Sequence, residues 1–233
     1  MRRVVVAEAV KLRGLPAIWA TAGGTVAAGA VLGAATASHP GAAEVADVLG
    51  ATVPFLQVGT ILLGVLAVAT EYSGRQIAVT LVAMPRRLPL LCGKAAAGLL
   101  FVAATATLTV AAAGGAAWAV LARRGEAPEA DWWRLAGMVA YLSLIGLLAL
   151  AATVLLRSLV ASLVVMEALV LIVSPLLATA TEHARWLPDR AGARLYLPAV
   201  EGAWGWEAGG AVLAGWIVVA AAAGAVAFLA RDA

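Results

Sequence analysis

Few side chains in this 233-residue sequence are equipped for chemistry. There are two histidines, His39 and His183, one cysteine, Cys92, and two lysines, Lys11 and Lys94. A single cysteine rules out an internal disulfide, and a structural zinc site draws on four ligands that this inventory hardly supplies. No Gly-x-Ser-x-Gly elbow presents a serine nucleophile, and no His-Glu-x-x-His pair offers a metal-bound water. A phosphate-cradling loop needs Gly-x-x-x-x-Gly-Lys-Ser/Thr. Lys11 is preceded by Val10, and Lys94 follows Gly93 but has Leu88 at the first glycine and Ala95 at the hydroxyl. No catalytic residue, metal site or cofactor is therefore expected on this chain, which reads as a non-enzyme.

One acid demands an account. Glu167 stands in the apolar run Leu163-Val164-Val165-Met166-Glu167-Ala168-Leu169. A carboxylate in the middle of a bilayer costs about 3 kcal/mol even on lenient scales. It should face the bundle, a water-filled path or a second copy of the chain. Three roles stay open: polar glue between helices, a site for a cationic or hydrogen-bonding substrate, and a proton relay. Gln57 and Thr60, with Thr105, Thr107 and Thr109, are further candidate liners of a substrate path. Ser174-Pro175, shortly after Glu167, is expected to kink the same helix.

The elements that must position these residues are membrane spans. The chain is 64% hydrophobic and 12% charged, with mean hydropathy +0.98. A soluble domain of this length cannot hide so much apolar surface behind so thin a polar shell. About 20 apolar residues make a spanning helix. Six stretches qualify, at about 17–36, 53–70, 95–122, 135–156, 159–181 and 208–230. The fold class is thus an all-α membrane protein, with residues 1–16 as an N-terminal surface segment and 17–233 as the transmembrane domain. The third stretch is long enough that it must tilt or protrude. The first is read as a retained helix rather than a signal peptide, because sixteen residues precede it.

Charge fixes the expected orientation. With the N-terminus in the cytoplasm, the inner segments carry ten basic residues and the outer segments six. Trp118, Trp132, Trp133, Trp186, Trp204 and Trp206 then mark the outer interface, and Trp19 the inner start of the first span. Tryptophan favours the headgroup level because its ring is apolar while its N–H needs a partner. Gly29-x-x-x-Gly33 allows a close helix contact, a weak signal in a chain with 24 glycines.

The most informative segment follows the second span. Gly74 permits a bend, residues 75–84 suit a short helix with Ile77 and Leu81 on one face, and Pro85 stops it. Its pattern is Glu71-Tyr72-x-Gly74-Arg75, then Thr80-Leu81, Pro85-Arg86-Arg87 and Lys94. This resembles the cytoplasmic loop of type 2 ABC transporter permeases, six-span subunits of bacterial exporters. Glu8-x-x-Lys11-Leu12-Arg13 resembles the opening of that family, and Tyr196-Leu197-Pro198 its last outer loop.

The resemblance implies a dimer of permeases, or of a permease and a paralogue, in the bacterial cytoplasmic membrane with both termini inside. It implies a separate cytoplasmic ABC ATPase that binds ATP and Mg. The loop would hold a coupling helix, with Glu71, Tyr72, Gly74, Arg75, Thr80, Pro85, Arg86, Arg87 and Lys94 at the ATPase contact or against anionic membrane lipid. No nucleic acid partner is implied. Residues 1–16 would lie as a helix on the inner surface, although Val4, Val5, Val6, Val10 and Leu12 do not collect on one clean stripe. The expected cargo is a small hydrophobic or amphipathic molecule, such as a drug, lipid or peptide. The alternative is a self-contained secondary transporter that uses Glu167.

Overall fold

The computed structural model describes residues 2–73, 87–198 and 204–231, with backbone alone at positions 2, 3, 71–73, 87 and 229–231. It is all-α. The helices are α1 (Arg2–Arg13), α2 (Pro16–Ala37), α3 (Val45–Ser73), α4 (Arg87–Arg123), α5 (Trp132–Leu156), α6 (Leu159–Ala168), α7 (Ser174–Ala180), α8 (Pro188–Gly192) and α9 (Trp206–Arg231). A π-helical turn, Leu169–Val173, joins α6 to α7, so these three form one continuous rod. Among the described residues six helices are long and apolar enough to cross a membrane: α2, α3, α4, α5, the α6–α7 rod and α9.

Two boundaries move outward from the sequence reading. The second span begins at Val45, because its first turns bury Val45, Ala46, Val48 and Leu49 on one face. Pro54 then lies inside the helix, which a spanning helix tolerates when its neighbours compensate. The third span begins at Arg87, so α4 is 37 residues long. At 1.5 Å per residue it measures about 55 Å, well beyond a hydrocarbon core of about 30 Å. It must therefore tilt or protrude, and Lys94 is its eighth residue.

The described helices give the bundle two ends. One carries α1 and the α5–α6 turn. The other is rich in tryptophan and carries the α2–α3 and α4–α5 links and residues 181–198. Helices α3 and α5 form the centre, while the α6–α7 rod and α9 are peripheral. Lipid tails are as apolar as leucine, so helices in a bilayer associate by close packing more than by hydrophobic burial. The contacts reflect this. A Cβ at Gly33 would overlap the Ala113 carbonyl, and one at Gly29 would lie 2.8 Å from Thr109 Cγ2. The Gly29-x-x-x-Gly33 signal is thus realised as the seam between α2 and α4. Gly64 and Gly146 do the same for α3 and α5. At the α1 end, α5 turns into α6 through Arg157, whose φ of 54° closes the helix in the left-handed region. Ser158 then caps α6 by accepting a bond from the Ala161 amide.

Candidate functional site

Charged residues at the α1 end form a cluster around Glu8. Helix α1 lies against the first turns of α4, with Val4 packed on Gly93. Its inward stripe is Val5, Glu8, Ala9 and Leu12, at helical spacing with an acid in the middle. Glu8 is 3% exposed and Lys94 6%. Lys94 Nζ lies 2.7 Å from Glu8 Oε2, and Lys11 Nζ 2.8 Å from Glu8 Oε1. Burial alone would push the Glu8 carboxyl up. The Lys94 charge and the hydrogen bonds from Lys11 and Lys94 outweigh it and hold the group below its ordinary range. Lys94, expected among the partner-facing cations, is instead turned inward. The same pair explains why the helical wheel of α1 looked poor: the apolar stripe is continuous once Glu8 counts as neutralised.

The remaining residues expected at an ATPase contact cannot be placed as side chains. Gly74, Arg75, Thr80, Pro85 and Arg86 lie outside the described residues, as does the expected short helix. Glu71 and Tyr72 fall in the last turn of α3, and Arg87 opens α4.

Mid-bundle, the candidate path residues are core. Gln57 is 3% exposed and Thr60 fully buried. Tyr141 Oη, on α5, donates to Gln57 Oε1, and Gln57 Nε2 donates to the Pro54 carbonyl at 3.0 Å. Thr60 donates to the Gln57 carbonyl at 3.0 Å. These groups are satisfied within or between helices.

Glu167 differs. It borders the inward stripe Ser162, Met166 and Val170 of the α6–α7 rod, beside exposed Val164, Val165, Leu171 and Ile172. Both carboxylate oxygens are shielded from solvent, and neither has a hydrogen-bond partner among the described residues. The π turn begins two residues later. The expected kink at Ser174-Pro175 is therefore a local widening of the helix just before the proline, a common device for relieving such a strain.

At the tryptophan-rich end, residues 182–198 fold back into the bundle rather than looping over it. Gly192 rests on Tyr141 and Leu213, Gly137 of α5 abuts the Leu195 carbonyl, and Gly209 of α9 abuts that of Ala191. Arg134 ties three elements together. Its Nε donates to the Tyr196 carbonyl at 3.0 Å, and a terminal nitrogen lies 2.8 Å from Asp47 Oδ1 on α3. Ser174 donates to Asp189 Oδ2, and Arg190 Nε donates to Ser174 Oγ at 3.1 Å. Burial pushes the Asp189 carboxyl up against the lowering pull of Ser174 and Arg190. Tyr196 is buried, with its ring 5.3 Å from that of Tyr141.

Sequence reasoning missed Arg134, Tyr141, Asp189 and Ser174 as structural polar groups. Pro188 beside Asp189 and the small pair Ala191-Gly192 were the available hints that the segment turns and packs. Among the described residues no three His, Cys, Asp or Glu side chains come together as a metal ion would require. No known family matches the chain, and no characterised protein resembles it in sequence at a significant level.

Proposed function

We propose that this chain is the membrane subunit of an ATP-driven exporter of the bacterial cytoplasmic membrane. In this reading it works as a dimer with a separate cytoplasmic ATPase and moves a small hydrophobic or amphipathic molecule outward. The loop pattern quoted above supports it, together with six apolar helices and a sequence that offers no phosphate-binding loop of its own. The observation that carries it is the Glu8–Lys94 pair. That pair clamps α1 to the helix emerging from the loop at 74–86, so a push delivered at the loop moves α1 and α4 together.

The test is whether an ATPase with a phosphate-binding loop is encoded beside the chain, and expression of the two together. The two should copurify, and reversing Arg86 and Arg87 to glutamate should abolish transport-linked ATP hydrolysis while the chain still assembles. Normal hydrolysis in that double variant removes the coupling role. Orientation is checked with Ala127→Cys in a Cys92→Ala background, because Cys92 is exposed. The new thiol should label from outside the cell, and labelling only from the cytoplasmic side rejects the topology.

A second reading, a proton-coupled secondary transporter, is favoured by the orphaned oxygens of Glu167. It requires transport that stops when the proton gradient is collapsed with ATP still present, and that is lost in Glu167→Gln. The exporter reading requires transport to persist when the proton gradient is collapsed with ATP still present.

A further inference from the structure

The folded-back segment at the tryptophan-rich end builds two adjoining cavities of opposite character. The first, about 400 Å³, is walled by Arg185, Arg190 and Arg194, with Glu182 on its rim and Trp204 across it. The second, about 420 Å³, is an apolar groove formed by Trp186, Val212, Gly215, Trp216 and Val219. The wall between them is a pair of indoles. Trp186 meets Trp204 edge to face with ring centroids 4.4 Å apart. The pair is held from both sides: the Arg185 guanidinium sits 4.9 Å from the Trp204 ring, and Trp216 Nε1 donates to the Trp186 carbonyl at 2.8 Å.

The charges of the first cavity do not cancel internally. Arg190 is shared with Ser174 and lies 3.8 Å from Asp189. Arg185 and Arg194 have no hydrogen-bond or ion-pair partner among the described residues; Arg185 has only its stacking on Trp204. Guanidinium groups present paired donors that match the oxygens of a phosphate, and they stack on aromatic faces as Arg185 does. The second cavity starts at the other face of the same tryptophan pair. It descends α9 along Val212, Trp216 and Val219, at positions i, i+4 and i+7. A polar anion-binding pocket joined to an apolar groove along a membrane-crossing helix has the shape of one kind of molecule.

We propose that these two cavities together bind one anionic phospholipid of the adjacent leaflet, its phosphate held by Arg185, Arg190 and Arg194 and an acyl chain lying in the groove of α9. This goes beyond the exporter reading and does not depend on it, since the lipid would be held whether or not the chain transports. It also accounts for the tryptophans here beyond general anchoring: Trp186 and Trp204 mark the boundary between head and tail.

The experiment uses the full chain in detergent, with bound lipid counted by native mass spectrometry during titration with phosphatidylglycerol or phosphatidylcholine. One phosphatidylglycerol should bind at least tenfold more tightly than phosphatidylcholine. Arg185→Gln/Arg194→Gln should remove that preference, and Arg123→Gln, a basic residue at the same end outside the cavity, should keep it. Gly215→Phe supplies an independent arm. A Cβ at Gly215 meets no atom within 4 Å, so a larger side chain there starts from open space at the groove. It should weaken phosphatidylglycerol at least tenfold while the arginines remain. Millimolar inorganic phosphate should fail to displace the lipid. The proposal is overturned if the double arginine variant keeps wild-type preference, if Gly215→Phe binds normally, or if inorganic phosphate alone displaces the lipid, which would make this a free-anion site.

Discussion

Glu8 and Glu167 are both acids taken out of water, and they are treated in opposite ways. Glu8 sits against the first turns of α4, with one lysine on each carboxylate oxygen. Glu167 sits within the fifth span, its oxygens shielded and unpartnered. A buried ion pair adds little net stability, but removing one partner strands the other charge at a cost of about 3–5 kcal/mol. Glu8 therefore belongs to the architecture: it specifies where α1 docks. Glu167 contributes nothing to the single chain that a neutral residue would not.

The sharpest way to break this comparison is Lys94→Met, which leaves Glu8 buried with only the half-exposed Lys11. It should destabilise the protein by about 3–5 kcal/mol, read as a large fall in the thermal midpoint of the purified chain. The companion Glu8→Leu/Lys94→Met removes both charges and should return to within about 1 kcal/mol of the parent, since apolar replacement of a whole pair is close to neutral. Failure of the double variant to recover would show that the pair does more than neutralise itself. Next in size is Tyr141→Phe, which strips the donor from buried Gln57 Oε1 and should cost about 1–3 kcal/mol in the same assay. Smallest is Glu167→Gln, which should leave the midpoint of the isolated chain within about 1 kcal/mol, because there is no bond to lose. A loss comparable to that of Lys94→Met would place the two acids in one class after all.

Acidity separates two regions in the same spirit. The Glu8 carboxyl is held below its ordinary value of 4.5, so the stability it lends is fully present above that pH. It is lost as pH falls through the lower folded value. The Asp189 carboxyl is raised above 3.8, so the folded state binds a proton before the unfolded one does. Its contribution grows as pH falls through that raised value and is complete below 3.8. Hydrogen exchange followed from neutral pH downward should thus show amides beside Asp189 gaining protection first. Those of α1 should lose it only at lower pH. Simultaneous loss at both places would contradict the assignment.

The spans were legible because their signal is crude: twenty apolar residues can do little else. Their ends were less so. At Val45 the apolar face continues through Asp47, and a window sensitive to charge stops too late. The α1 docking face was hidden for a related reason, since an acid on the inward stripe looks like a break until its lysine, 86 positions away in sequence, is known. The fold-back of residues 182–198 was hidden because it is short and mixed in polarity. Its arginines look like ordinary interfacial charges until the tertiary fold gathers them on one wall. Glu167 was conspicuous from the start, and what the sequence could not reveal was that the described residues offer it no donor.

The π turn at Leu169–Val173 also has a bearing on how this span came to be. A π turn holds one residue more than the α-helix requires, and each residue advances a helix by about 100°. The extra residue is taken up inside the widened turn, where each residue turns less. Deleting a single residue between positions 169 and 173 would therefore heal the turn into regular helix and leave both flanks near their present facing. Ser174 would stay on Asp189, and Glu167 would stay where it is. The widened turn is a place where a length change of one is absorbed without moving the tryptophan-rich end or the acid.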